Sequence, residues 1–484
     1  MTAQLTNPDL FKQHCLIAHE WVASSTGQSL DVVNPFNGER LGSVPVLSAD
    51  DVNCAIQHAT NAQKAWAKLT VHDRAKVLHT WADLIDDNLD DLARLMTLEQ
   101  GKPIKESRGE IAYANSYIRW FAEQAKRHDG DIIPTTHSNQ RLMVLKQAVG
   151  VCACITPWNF PSAMITRKVA PALASGCSMI VKPASETPFS ALALGILAKQ
   201  AGIPSGVLQI ITGNARQIGE ILTSDPRIAK LSFTGSTKIG RVLMSQSAPT
   251  LKKLSLELGG NAPFIVFADA DIDKAVNGLI ASKYRNAGQT CVCANRVFVQ
   301  SSIKDKFIAL LCQKVQALKV GNGLDESTDI APLINQSALD KVQSLLTDAL
   351  DKGAVLHTGG TTNPISPLSF NPTVISDITD DMAIAHEEIF GPIAPIFTFD
   401  DEAEVIERAN ATEYGLAAYF YTNDLARSWR VSESLEYGMV AQNTGILSNA
   451  VAPFGGIKQS GFGREGSKYG LDEYTTLKYW CVEV

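Results

Sequence analysis

Cys291 closes Gly288-Gln289-Thr290-Cys291, a cysteine set after a glycine-bearing break where a helical stretch stops. A thiol that attacks carbon needs exposure and a lowered pKa, and backbone N–H groups beside it can stabilise both a thiolate and an oxyanion. Taken alone, such a cysteine more often serves as a small buried hydrophobe. Glu257 lies in Leu256-Glu257-Leu258-Gly259-Gly260, one carboxylate in an apolar stretch followed by glycines that let a backbone or ligand come close. In a poorly solvated cleft its pKa rises toward the range useful to a general base; the alternative is a buried glutamate paired with an arginine. Phe233-Thr234-Gly235-Ser236-Thr237-Lys238-Ile239-Gly240 opens a helix after a strand, where a helix N-terminus can receive a pyrophosphate, although it falls short of the full Gly-x-Gly-x-x-Gly. No metal is expected. Cys152-Ala-Cys154 and Cys291-Val-Cys293 lack the Cys-x-x-Cys spacing of zinc sites, and His386-Glu387-Glu388 has no second histidine four residues on.

These side chains need a scaffold. With 484 residues, 45% hydrophobic and 19% charged, the chain can bury a large core and is too long for a single one, so two or more lobes are expected. Two helices come first. Ser48 to Asp51 reads as a capping box ahead of Val52, Ala55, Ile56, Ala59, Ala62 and Trp66 at helical spacing. Val77, Leu78, Trp81, Leu84, Ile85, Leu89, Leu92 and Leu95 continue the pattern up to a glycine stop at Gly101. From Val151 to Glu257, short apolar strands alternate with helix-length segments, which predicts a parallel sheet wound with helices. Polar clusters fall at the carboxyl ends of those strands, where such sheets bind ligands: Thr156-Pro157-Trp158-Asn159, Lys182-Pro183-Ala184-Ser185, Thr234 to Thr237, and Glu257 to Gly260. A second alternation from about Ala262 to Met439 predicts a second lobe, with the cleft between the lobes holding substrate. The β-branched and aromatic residues from Tyr474 to Val484 read as an oligomerisation strand or as a strand paired within its own subunit.

The net charge of −7 argues against an electrostatic grip on nucleic acid or on an anionic membrane. Residues Met1 to Trp21 carry neither a signal nor a transit pattern, and no apolar run approaches the roughly 20 residues that span a bilayer. The cytoplasm is the expected compartment, and nine cysteines without framework spacing fit thiols kept reduced there.

Six segments in register resemble the aldehyde dehydrogenase superfamily from about Asn34 to the C-terminus: Thr156 to Pro161, Phe233 to Gly240, Leu256 to Gly260, Gln289-Thr290-Cys291, Glu388-Ile389-Phe390-Gly391-Pro392, and Pro453 to Gly461. The resemblance implies an α/β fold of two doubly wound parallel-sheet lobes plus a small β oligomerisation element. It divides the chain into a dinucleotide-binding domain (1–128 and 149–260), a catalytic domain (261–455) and an oligomerisation element (129–148 and 456–484), assembled as a homodimer or homotetramer. It also implies that Cys291 attacks the aldehyde carbon while the Asn159 amide and the Cys291 N–H hold the oxyanion. Glu257 would then activate water to hydrolyse the thioester, giving a carboxylate rather than an acyl-CoA.

For the cofactor, the resemblance places Thr156, Pro157, Trp158, Gly235, Ser236 and Leu258 along a dinucleotide, Lys182 at the adenosine ribose, and Glu388 with Phe390 at the nicotinamide ribose. Ser185 stands where members specific for NAD resemble one another in carrying a glutamate. A neutral serine removes repulsion toward a 2′-phosphate, which favours NADP over NAD, while the adjacent Glu186 leaves NAD open.

Arg285, six residues before Cys291, and Arg167, eight after Asn159, should project near the substrate tail and ask for an anionic partner; the alternative for each, viewed alone, is a surface arginine in a salt bridge. A neutral aldehyde would leave them unpaired, at a cost of several kcal/mol. Thr166-Arg167-Lys168, Tyr284 to Gly288, Cys291-Val292-Cys293 and Ser448-Asn449 are similar to the branch that oxidises succinate semialdehyde, in which the two arginines and a serine matching Ser448 bind the substrate carboxylate. Glutarate semialdehyde, one methylene longer, fits the same kit. In some members resembling this chain a thiol placed like Cys293 pairs with the nucleophile as a redox switch; the plain alternative is that Cys293 packs. A non-catalytic descendant would be expected to lose Cys291, Glu257 or Asn159, and all three are present. A cationic substrate such as betaine aldehyde would be repelled by the arginines.

Overall fold

The computed structural model describes residues 5–484. Four short strands, Cys15–Ile17, Glu20–Val22, Ser29–Val33 and Arg40–Pro45, precede the first long helix, so the expectation that two helices come first is corrected. That helix, Ala49–Lys68, starts at the anticipated capping box: the Ser48 side chain accepts from the Asp51 N–H, and the Asp51 carboxylate accepts from the Ser48 N–H. The next apolar pattern, expected as one helix, is two, Val71–Asp87 and Leu89–Gln100, parted at Asn88. The Asn88 side-chain amide donates to the Leu84 carbonyl at 2.8 Å, and a residue that bonds its own backbone favours ends over interiors. Gly101 ends the second helix with φ at 96°, the left-handed stop that glycine supplies.

The first lobe is built on five parallel strands: β1 Val151–Ile155, β2 Ser178–Lys182, β3 Leu208–Ile210, β4 Ile228–Thr234 and β5 Lys253–Glu257. Their order is β3-β2-β1-β4-β5, with Cys15–Ile17 and Gly461–Phe462 added antiparallel at the two sides. Alternate residues of β1 and β2 feed different cores. Cys152, Cys154, Met179 and Val181 pack with Trp81 and Phe189 on one face, while Val151, Ala153 and Ile180 pack with Ile56 and Ile218 on the other. A sheet covered on both faces presents only its strand ends to ligands. The order reverses between β1 and β4, which makes the loops after them the place where a crevice opens.

The second lobe repeats the plan with β6 Ala262–Val266, β7 Ala294–Gln300, β8 Thr373–Ser376, β9 Ile393–Phe399, β10 Ala417–Tyr421 and β11 Met439–Gln442, parallel in the order β8-β9-β7-β6-β10-β11, with Val355–Thr358 added antiparallel outside β8. Only Leu258, Gly259, Gly260 and Asn261 separate β5 from β6, so the ends of the two sheets are joined by one short link. The terminal strand Thr475–Glu483 pairs antiparallel with Gln140–Ala148, which pairs in turn with Asp131–Ile133. Among the described residues, no helix is long and apolar enough to cross a membrane.

Candidate active site

The loop that carries Cys291 is strained and braced. After helix Ile272–Lys283, residues Asn286, Ala287 and Gly288 take φ of 51°, 54° and 77°. Left-handed backbone costs a non-glycine residue about 1–2 kcal/mol, so this turn persists because its surroundings hold it. Gly288 admits no side chain, since a Cβ there would lie 2.2 Å from the Gly391 carbonyl oxygen. The nucleophile loop is thereby pressed against Glu388-Ile389-Phe390-Gly391.

Cys291 is half-buried and lines two cavities at once. The smaller, about 300 Å³, is bounded by Arg167, Arg285, Ser448, Phe160, Phe454 and Tyr113, among others. The larger, about 470 Å³, runs along Pro157, Trp158, Gly235, Ser236, Leu258, Glu388 and Phe390, with Asn159 beside Cys291. The thiol departs from expectation: burial pushes its pKa up to about 12, against the pull of the Arg167 charge. A lowered pKa is not what the site provides in this state, because desolvation of the thiolate outweighs the nearby cations. The proton must therefore pass to a base as the sulfur attacks.

Glu257 ends β5 with both carboxylate oxygens buried and without a hydrogen-bond partner. The alternative of an arginine-paired glutamate is not what is found. Burial raises its pKa well above the carboxylate range, and the neighbouring Glu465 charge adds to the rise.

Asn159, buried in the loop after β1, donates from Nδ2 to the Gln289 carbonyl at 3.0 Å, and a side-chain amide has a second N–H to offer. Its own carbonyl accepts from Lys102 Nζ at 2.6 Å. Lys102 is locked to Glu110 at 2.5 Å with both side chains buried, and the other Glu110 oxygen accepts from the N–H groups of Ser162 and Ala163 at the start of helix Ala163–Ser175. Lys102 and Glu110 do not stand out in the sequence. Their only signal is a lysine and a glutamate eight residues apart around a helix start, a pattern shared by many solvated pairs.

Arg167, Arg285 and Ser448 do meet in the smaller cavity, with one correction. Arg167 is not waiting for an anion: its Nε contacts Glu465, whose other oxygen contacts Lys168. The Arg167 Nη2 stays buried without a hydrogen-bond partner, and the guanidinium lies 4.3 Å over the Phe454 ring. Arg285 sits 5.2 Å over the Phe160 ring with its Nε buried and unbonded. Cys293 is buried, its thiol donating weakly to the Lys283 and Ala294 carbonyls at 3.5 Å each.

The larger cavity suits a dinucleotide. Ser236 caps helix Thr237–Ser247, Gly240 leaves no room for a Cβ, which would meet Leu258 at 2.6 Å, and the open helix end faces the cavity at Gly235 and Ser236. Glu388 accepts from the Gly260 N–H at 3.1 Å, and burial lifts its pKa to about 7. Phe390, at φ 53°, meets the Trp158 ring edge-on at 5.6 Å. Thr156, Lys182 and Ser185 do not line this cavity. They sit beside it at the ends of β1 and β2, where the Thr156 N–H donates to the Lys182 carbonyl at 3.1 Å. The Thr156 hydroxyl is buried without a partner, Lys182 is buried with its pKa lowered by desolvation, and Ser185 is half-buried.

The sequence matches the model of the aldehyde dehydrogenase family over residues 21–480. It is 56% identical to the succinate-semialdehyde dehydrogenase (NADP(+)) GabD of Escherichia coli, over 99% of each chain. It is also 56% identical to a glutarate-semialdehyde dehydrogenase of Pseudomonas putida, over 99% of this chain and 100% of that one. The fold matches the crystal structure of an E. coli NADP-dependent enzyme with a TM-score of 0.98 at 56% identity, covering 99% of this chain and 100% of the other. A thiol where two cavities meet, an unpaired carboxylate at a strand end and a helix N-terminus open to a long cleft thus occur in a chain that belongs to the aldehyde dehydrogenase family.

Proposed function

We propose that this protein oxidises succinate semialdehyde to succinate with NADP, through a thioester on Cys291. The observation that carries the reading is the position of Cys291, shared by a cavity with two arginines and a cavity shaped for a dinucleotide. The substrate carboxylate lies against Arg285, the free Arg167 Nη2 and Ser448, which brings the aldehyde carbon to the sulfur. As the thiol adds, its proton passes to Glu257, and the oxygen of the adduct takes hydrogen bonds from Asn159 Nδ2 and the Cys291 N–H. The nicotinamide, when bound, supplies the hydride acceptor. Glu257, having released that first proton to solvent, takes one from the water that attacks the thioester and returns it to the departing sulfur, releasing succinate and the thiol.

NADP is preferred over NAD on the neutral Ser185 and the cationic Lys182, and the name of the E. coli relative agrees. Glutarate semialdehyde is the second reading, favoured by the name of the P. putida relative; a methylene is worth only ~1–3 kcal/mol of discrimination. We assign residues 1–128 and 149–260 to cofactor binding, 261–455 to catalysis, and 129–148 with 456–484 to assembly of a homodimer or homotetramer in the cytoplasm. The exposed Leu477, Tyr479 and Trp480 on the terminal strand support the assembly role. Initial rates of reduced-cofactor formation with succinate semialdehyde, glutarate semialdehyde and a neutral aldehyde, each with NADP and NAD, test the reading. Preference for the acidic aldehydes with NADP supports it, and equal rates with the neutral aldehyde overturn the carboxylate site.

A further inference from the structure

Asn159 and Cys291 belong to different lobes, one after β1 and the other before β7, yet both must hold a single tetrahedral adduct. One bond, from Asn159 Nδ2 to the Gln289 carbonyl, joins the two loops directly, and a second tie comes from a residue with no place in the chemistry so far. Asn286 is buried at φ 51°, and every polar group it owns is engaged. Its Nδ2 donates to the Asn159 carbonyl at 3.0 Å and reaches the Gln289 carbonyl at 3.4 Å, so one amide spans both loops. Its Oδ1 accepts from Gln100 Nε2 at 3.0 Å, and Gln100 Oε1 accepts from the Lys102 N–H at 2.9 Å. That chain of donors and acceptors allows only one orientation of the Asn286 amide. Its N–H donates to Glu106 at 2.8 Å, and its carbonyl accepts from Gln289 Nε2 at 3.1 Å.

A glycine would take this backbone conformation at no steric cost, so folding of the turn alone does not call for an asparagine. The amide does. We propose that Asn286 is a positioning residue that clasps the Asn159 loop to the Cys291 loop and so sets the distance between the oxyanion donor and the sulfur. Ground-state binding of substrate and cofactor does not pass through this clasp, whereas the adduct, which must touch both loops, does. The inference rests on the roles proposed above for Cys291 and Asn159.

The decisive variant is Asn286→Gly, which suits the left-handed φ and removes only the amide. Its unfolding temperature should stay within a few degrees of the parent, its KM for NADP should be unchanged, and kcat should fall about 10–100-fold, the scale of a misplacement near 1 Å. Hydrolysis of an activated aryl ester, which needs the thiol and the oxyanion donor but no aldehyde or cofactor, should fall in parallel. In an Asn159→Ala background the loss from Asn286→Gly should largely vanish, because the clasp acts through Asn159. Gln100→Leu, which leaves Asn286 in place but frees its amide to turn, should give a smaller loss of the same kind and serves if the glycine variant does not fold. Parental kcat in Asn286→Gly, or losses that multiply in the double variant, would overturn the inference. Ester hydrolysis that responds as described in a protein that oxidises no semialdehyde would instead sink the proposed function and leave the clasp standing.

Discussion

The Glu465 carboxylate is divided between Arg167 and Lys168, successive residues of one helix almost three hundred positions away in sequence, with one oxygen against each cation. Its charge also raises the pKa of Glu257. In the role proposed for it Glu257 acts as a carboxylate, so activity should fall as pH drops through its raised pKa. Glu465→Gln removes a negative neighbour and leaves two cations less balanced, and both changes favour ionised Glu257. The acid limb of the kcat profile should therefore move to lower pH. The same variant leaves two buried cations without their anion and should lose roughly 3–5 kcal/mol of stability in denaturant melts.

Glu257→Gln should all but abolish turnover while making the fold more stable at neutral pH. A carboxyl whose folded pKa lies above the ordinary 4.5 contributes stability that is present below that value and lost as pH rises through the folded one. Unfolding temperatures of variant and parent should converge in acid and separate toward neutral pH. Equal separation at every pH would contradict the burial of an unpaired carboxylate.

Arg285 is the more available guanidinium, because Arg167 already holds Glu465. Arg285→Met should raise KM for succinate semialdehyde by about 10–100-fold, the loss of one charged hydrogen-bonding group, and leave a neutral aldehyde unaffected. Arg167→Met should instead show up first as lost stability in thermal melts.

Gly109 lies inside helix Ile104–Gln124 and lines the smaller cavity, with nothing within 4 Å of where its Cβ would be. A glycine there costs the helix roughly 1 kcal/mol relative to alanine, and it leaves open space. Gly109→Ala should therefore stabilise the fold, while Gly109→Leu should cut kcat/KM for glutarate semialdehyde more than for succinate semialdehyde.

Ser185→Glu should lower kcat/KM for NADP at least about tenfold relative to NAD if, as proposed, Ser185 lies beside the 2′-phosphate, because the new carboxylate would repel it. For the thiol pair, reversible loss of activity in mild peroxide should be absent in Cys293→Ala if Cys291 and Cys293 form a disulfide, and the same sensitivity in that variant would refute the switch.

Groups recognised by their neighbours in the chain were legible in the sequence. Cys291, Glu257, Gly235 and Ser236 each sit near the end of a strand or helix whose apolar pattern is local; the larger cavity is lined by Cys291, Gly235 and Ser236, while Glu257 ends β5 next to the lining residue Leu258 without lining either cavity itself. Groups defined by a distant partner were not. Nothing near Arg167 announces Glu465, and nothing near Asn159 announces Lys102 or Asn286. The break at Asn88 was hidden by apolar residues that keep helical spacing across it, and the raised pKa of Cys291 by the absence of any local mark of desolvation.

Because the two cavities share only Cys291 and Met164 among their lining residues, a ligand in one need not displace a ligand in the other. An inhibitor built as an ω-carboxylate carrying a thiol-reactive group would engage the enzyme whether or not the nucleotide is in place. Extending such a molecule past the sulfur into the neighbouring cleft would join two independent footholds in one compound, with the gain that tethering brings.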